Sequence, residues 1–269
     1  MSNVPTTMTF SDAKERFSSR VKDYVRYRPG YPAALLDLLR DECGLRAGES
    51  CVIGDIGSGT GLLAELFLKQ GNRVLGVEPN QEMREAGEAY LSEYANFTSV
   101  AGSAEATTLA DGSANFVTVG QAFHWFEPRA TRREFFRVLA PGGWVVVAWN
   151  DRRMDTPFAR DYEAMLLNYG TDYGRVREAY PQPTTIKEFF GEARFGEREL
   201  SNSQEFDWDG LVGRLRSSSY APREGQANHA AMMAELQRIF DAYQESGRLR
   251  MEYVTKIYFG QLKSAGNNA

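Results

Sequence analysis

The chain has 269 residues, a quarter of them charged, with a formal net charge of −5 and no Lys/Arg-rich run; this length suits one α/β domain with a cap, and the acidic balance argues against nucleic acid as a general partner. Its only cysteines, Cys43 and Cys51, lack a metal-ligand spacing and read as structural thiols of a reducing compartment, so no metal is expected. Residues 1–9 show no basic start followed by an apolar core, and no apolar run approaches the roughly 20 residues that cross a bilayer, so the expectation is a cytoplasmic protein without a membrane partner.

Residues 1–10 have no periodicity and read as a tail. Helical spacing over 11–25, with Phe17, Val21 and Tyr24 or Val25 on one side, is broken by Arg28-Pro29-Gly30-Tyr31-Pro32. Residues 32–43 form a second helix with Leu35, Leu36, Leu38 and Leu39 on its apolar face, stopped at Gly44. Residues 51–56 are apolar enough for a central parallel strand. This strand runs into Asp55-Ile56-Gly57-Ser58-Gly59-Thr60-Gly61 and then a helix over 62–70, ended by Gly71. Three alternating glycines at a strand-to-helix turn let a ligand lie against bare main chain, with helix N–H groups expected to face it. A phosphate-gripping loop would continue with Lys and Ser or Thr, but Gly61 is followed by two leucines. A dinucleotide fingerprint spaces its glycines differently, and Asp55, two residues ahead of the first glycine, suits a ligand bearing an ammonium group.

Strands are predicted over 73–78, 97–101 and 115–120, then a helix over 131–139, a turn at Pro141-Gly142-Gly143 and a fifth strand over 144–149. Asn80 is placed to cap the helix after Glu78. This alternation specifies a right-handed parallel α/β sheet that binds ligands beyond the carboxyl ends of its strands. After Asn150 the rhythm changes. Residues 151–192 are polar and rich in Tyr and Pro, with helical spacing near 158–167; 194–200 reads as a short strand, 208–215 as a helix and 216–222 as a Ser-rich loop. Met232, Leu236, Ile239, Phe240 and Tyr243 keep helical spacing, and 249–259 alternates as an edge-type antiparallel strand would. The expected domain plan is a tail with lid helices over 1–45, a ligand-binding core over 46–150, a cap with the last two strands over 151–262, and a tail over 263–269.

The glycine motif with Asp55 resembles motif I of the class I S-adenosylmethionine-dependent methyltransferases. The resemblance covers residues 15–150. It includes Glu78 after the second strand, Gly102-Ser103-Ala104-Glu105 after the third, Gln121-Ala122-Phe123-His124-Trp125-Phe126 after the fourth, and Tyr24 to Pro32 near the start. Together these are similar to the small-molecule group that includes trans-aconitate methyltransferase-like enzymes. The resemblance implies a seven-stranded Rossmann-like sheet with helices on both faces, closed by a C-terminal antiparallel hairpin and topped by a helical cap, with S-adenosyl-L-methionine as cofactor. Glu78 falls 17 positions after Gly61, where a carboxylate can accept both ribose hydroxyls. The implied cofactor contacts are Tyr24, Arg28, Asp55, Gly57, Ser58, Gly59, Gly61, Glu78, Pro79, Met83, Ser103, Ala104, Glu105, Gln121 and Ala122. Ser103 departs from the family pattern, which has an acid there to receive the adenine amino group; its hydroxyl or Glu105 would take that task.

Methyl transfer from a sulfonium needs the acceptor held in line and desolvated, whereas a base is needed only by an acceptor that must lose a proton. His124 follows the fourth strand and is the candidate catalytic residue. As a base it would titrate near neutrality; as a structural residue it would shape the pocket with Trp125 and Phe126. His229, the other histidine, reads as solvent-facing on a helix. Tyr31, Trp125, Trp149, Arg152, Arg153, Ser217 and Tyr220 are candidate acceptor contacts. Arg28 and Arg152 with Tyr31 and Tyr220 would suit a carboxylate. The partner is thus expected to be a small methyl acceptor, O-methylated as an acid or phenol. Transfer to nitrogen, sulfur or carbon, or cofactor binding without transfer, stay open, as does monomer against homodimer. A nicotinamide oxidoreductase fits the glycine spacing poorly.

Overall fold

A computed structural model describes residues 26–178, 183–191 and 193–263. The first predicted helix and Tyr24 lie outside the described residues. Cα packing divides the described residues into two compact units: those within 29–152, 183–204 and 252–263, and those within 26–28, 153–178 and 205–251.

The larger unit holds the sheet. Its elements begin with α1 (Ala34–Cys43), β1 (Val52–Ile56), α2 (Leu62–Leu68), β2 (Arg73–Val77), α3 (Gln81–Tyr90), β3 (Phe97–Val100), β4 (Ala114–Gly120), α4 (Pro128–Val138) and β5 (Leu139–Arg152). Beyond these come α7 (Pro183–Phe190) and most of β6 (Phe195–Phe206) and β7 (Leu249–Gly260). The seven strands take the order β3-β2-β1-β4-β5-β7-β6. Strands β1 to β5 pair in parallel, and β7 runs antiparallel to β5, with Asn150 opposite Thr255. This is the expected methyltransferase-type Rossmann sheet.

Alternation along the strands distributes the core between two layers. Val145, Val147 and Trp149 of β5 meet Phe135 and Val138 of α4 and Phe189 and Phe190 of α7 on one face. Val146 meets Leu35 and Leu39 of α1 and Leu63 and Phe67 of α2 on the other. α1 stops as its sequence dictates: Gly44 adopts φ +69° and donates to Arg40 O, while Leu45 donates to Leu39 O. Asn80 caps α3 by accepting from the Met83 N–H at 3.2 Å.

Two sequence expectations need correction. The turn at Pro141-Gly142-Gly143 is a bulge inside a longer β5: Leu139 opposes Ala114 and Trp144 opposes Phe116, so five residues advance against two, with Gly142 at φ +77° absorbing the excess. β7 is an inner strand, flanked by β5 and β6, because alternation reports burial of one face rather than a free edge. The last two strands close the sheet as expected, with residues 207–248 between them.

The smaller unit is helical: α5 (Pro157–Tyr169), α6 (Tyr173–Glu178), α8 (Trp208–Arg216) and α9 (His229–Tyr243). Met232, Leu236, Ile239 and Phe240 are buried, as their spacing predicts. Phe158 and Tyr243 pack edge to face at 6.1 Å, and Asp161 accepts from Tyr243 at 3.0 Å and Arg238 at 3.3 Å. Tyr27 lies so close to Gly213 that a side-chain carbon there would sit 2.1 Å from its ring.

Candidate active site

The carboxyl ends of β1, β2 and β4 bring the glycine loop, Glu78 and the 121–126 turn together. Gly57, Gly59 and Gly61 take φ of +67°, +55° and +85°, a conformation that side chains resist. A Cβ on Gly57 would lie 2.7 Å from the Ala122 Cβ and 3.1 Å from the Phe126 ring, so the β1 and β4 loops touch across a bare Cα. A Cβ on Gly59 would lie 3.3 Å from Met83 Cε, which places Met83 over the loop.

Four N–H groups of the loop bond within the protein itself. Gly57 and Ser58 donate to Val77 O at 2.8 and 3.1 Å, Gly59 donates to Glu78 Oε2 at 3.0 Å, and Gly61 donates to Ser58 O at 2.8 Å. The positive φ values turn these donors back onto β2 and onto the loop itself. What remains is a cradle of Cα surface beside carboxylates, which suits a nucleoside bearing an ammonium group rather than a phosphate.

Asp55 is 1% exposed. Its Oδ1 accepts from the Thr118 hydroxyl at 2.8 Å, and its buried Oδ2 has no hydrogen-bond partner among the described residues. Burial pushes the Asp55 carboxyl up to about 7, against the opposing pull of the Thr118 hydroxyl and the weaker pull of the Ala64 N–H. A buried acceptor without a partner costs free energy that a cationic ligand group can offset. Thr118 was not singled out from the sequence, although a hydroxyl in the apolar run Val117-Thr118-Val119, opposite Asp55 in register, was a readable signal.

Glu78 accepts from Gly59 N and, at 2.9 Å, from Asn80 N, one bond to each oxygen. Burial raises its carboxyl above the usual range, and those two N–H groups and Arg84 oppose the shift. Each oxygen keeps a second lone pair, as a pair of ribose hydroxyls would require. These residues fit S-adenosylmethionine on three counts: the partnerless Oδ2 of Asp55, the two-point carboxylate of Glu78 and the glycine cradle.

At the end of β4, Gln121 is held at φ +59°, a strained backbone of the kind found at functional sites, with its N–H on Ala148 O and its Nε2 on Asn150 O. His124 and Trp125 follow in a single 3-10 turn, their rings 4.6 Å apart. Burial pushes the His124 imidazole down to about 4, so it is neutral at pH 7 rather than titrating near neutrality. We therefore expect ring NMR shifts of His124 in the unliganded protein to move near pH 4 and stay flat between 5.5 and 8; a midpoint near 6.5 would contradict this environment.

Tyr31 lies at the same strand end: a Cβ on Gly120 would sit 2.5 Å from its hydroxyl oxygen. Trp149 is buried against Phe123 and Tyr258, and its indole N–H has no partner among the described residues. Arg152 is half-buried at the end of β5, whereas Arg153 is exposed and paired with Asp155. Pro79 and Ser58 are half-buried near the loop, and Ala104 is buried in the core. Ser103 exchanges backbone bonds with Ala106, and Glu105 Oε1 accepts from the Glu127 N–H at 3.0 Å. In the helical unit, Arg28 donates to Ser217 O at 2.9 Å, Ser217 Oγ donates to Arg214 O, and Tyr220 packs on Tyr173. His229 is half-buried at the start of α9.

Comparison with known proteins agrees with this geometry. Residues 54–147 match the methyltransferase domain family. Methyltransferase Rv3342 of Mycobacterium tuberculosis, itself uncharacterized, is 28% identical over 253 residues, covering 93% of this chain and 96% of its own. The uncharacterized C25B8.09 of Schizosaccharomyces pombe is 30% identical over 56% of this chain and 58% of its own. Among solved structures, an Anaeromyxobacter dehalogenans protein assigned by inference as a type II methyltransferase superposes with TM-score 0.62 at 21% identity, over 87% of this chain and 98% of its own. YcgJ of Bacillus subtilis does so at 0.52 and 18%, over 86% and 100%. Residues 54–147 thus carry a methyltransferase domain, and the sheet has the class I methyltransferase fold.

Proposed function

We propose that this enzyme methylates a small acceptor at oxygen, a carboxylate or a phenolate, in the manner of the trans-aconitate methyltransferase-like group. When bound, S-adenosylmethionine supplies an electrophilic methyl on a sulfonium. The observation that carries the reading is the partnerless, buried Oδ2 of Asp55 beside the glycine cradle, which would hold the ammonium of the methionine end. Glu78 would accept the ribose hydroxyls, and Met83 would wall the adenine. Ser103, Ala104 and Glu105 stand after β3 as the remaining adenine contacts.

A neutral His124 supports the acceptor class. A group pushed down to about 4 is a weak base at pH 7, poorly matched to a neutral alcohol or an ammonium but adequate to orient an acceptor that is already ionised. Tyr31, Trp125 and Trp149 on the sheet unit offer aromatic walls, and Arg152 there supplies a guanidinium for a carboxylate. Nitrogen, sulfur or carbon acceptors remain the second reading, tested by the same assay.

The test is release of S-adenosylhomocysteine across a panel of small carboxylic acids, phenols, amines and thiols. Turnover with acids is expected, and Arg152→Ala should raise the Michaelis constant for an acid about tenfold while leaving cofactor affinity within about twofold. Turnover confined to amines or thiols would replace the oxygen reading, and an unchanged Michaelis constant would remove Arg152 from the acceptor site.

A further inference from the structure

The side chain of Asn150 is buried at the carboxyl end of β5 with every hydrogen-bonding position filled. Its Nδ2 donates to Gly30 O at 3.1 Å and Pro29 O at 3.4 Å. Its Oδ1 accepts from Thr255 Oγ1 at 2.6 Å and Asn202 Nδ2 at 3.1 Å. Asn202 Nδ2 also donates to Gly30 O at 2.8 Å, and the Asn150 carbonyl accepts from Gln121 Nε2 at 3.1 Å. Two donors and two acceptor positions are all an amide has. One side chain thus ties the Pro29-Gly30 segment to β5, β6 and β7, while its backbone holds the strained Gln121.

The next residue after the clasp is Tyr31, whose hydroxyl lies over the Cα of Gly120 at the end of β4. Gly120 must lack a side chain for Tyr31 to lie there. We propose that Asn150 is a positioning residue: through the Pro29 and Gly30 carbonyls it seats Tyr31 on the carboxyl end of β4, and so sets the acceptor-facing wall of the site. Nothing in the predicted strand over 144–149 distinguishes the Asn150 that follows it from a polar strand terminus, because the partners of its side chain lie about 50 to 120 positions away. The effect on turnover rests on the methyltransferase reading; the effect on the Pro29–Tyr31 segment does not.

Asn150→Asp keeps the size and the acceptor for Thr255 but replaces the donor facing two carbonyls with an oxygen. Amide hydrogen exchange of residues 30–36 should speed up about tenfold in this variant while β1 keeps its protection. With an accepted substrate, the acceptor Michaelis constant should rise about tenfold with cofactor affinity within about twofold, and adding Tyr31→Ala to Asn150→Asp should cost far less than Tyr31→Ala alone. Asn202→Ala removes one half-buried strut of the same clasp and should show a smaller shift of the same kind if Asn150→Asp does not fold. Exchange that is unchanged, or that rises equally throughout the sheet, would overturn the positioning role. Failure of the unaltered protein to bind S-adenosylmethionine would overturn the activity reading alone, leaving the exchange result to decide the clasp.

Discussion

Asp55→Asn should weaken S-adenosylmethionine binding about 100-fold at pH 8 and abolish most of its pH dependence. The wild-type carboxyl is held up to about 7 by burial, so below that pH the unliganded protein carries it protonated. Pairing its partnerless Oδ2 with an ammonium requires the ionised form, so binding must expel the proton. Affinity should then fall about tenfold for each pH unit below 7, and calorimetry in buffers of different ionisation enthalpy should show up to one proton released. The asparagine side chain has no proton to lose and no charge to offer, so its binding should be flat with pH. The stability consequence has the opposite sign. A carboxyl raised from 3.8 to about 7 favours the folded state fully below the lower value and loses that contribution as pH rises through the upper one. The unliganded wild type should therefore lose roughly 4 kcal/mol, as an upper figure, between pH 4 and 8 relative to Asp55→Asn. Equal affinity and equal pH profiles for the two proteins would show that Asp55 does not meet the ligand.

Gly57→Ala should reduce cofactor affinity more than 100-fold with a modest fall in melting temperature. Two costs combine there. A side chain at φ +67° costs about 1–2 kcal/mol, and its Cβ would press on Ala122 at 2.7 Å and Phe126 at 3.1 Å. Relief requires the β1 loop or the 121–126 turn to move, and both belong to the candidate site. Gly48→Ala separates the two effects. Gly48 has φ +93° but no atom within 4 Å of the added carbon, so it carries backbone strain without displacement. The control should lose a similar increment of stability and retain cofactor binding. Matching losses of binding in both variants would mean that strain spreading through the sheet, not the local approach of Ala122, governs the site.

Much of the fold was legible because its signals are local. Gly44, Gly71 and Asn80 stop or start helices through bonds within a few residues, and the apolar runs of β1 to β5 needed only their own composition. The same locality misled at Pro141-Gly142-Gly143, where a turn-like tripeptide is absorbed as a bulge, and at β7, where alternation describes one covered face and says nothing of lateral neighbours. The candidate site was drawn in the sequence from its glycines, Asp55 and Glu78, which the fold brings together. Thr118 and Asn150 were passed over, since each gains its role from a partner in a distant strand.

By itself the sequence determined the order of strands and helices and the glycine loop with its flanking acids, and through their resemblance to motif I it carried the methyltransferase expectation, because a loop of that spacing is a property of consecutive residues. Only the tertiary structure decided the upward shift of the Asp55 carboxyl and the downward shift of the His124 imidazole, the inward turn of the loop N–H groups, and the closure of Pro29-Gly30 onto Asn150. Those follow from desolvation and from hydrogen bonds between residues far apart in the chain, quantities that exist only after the strands have been laid side by side.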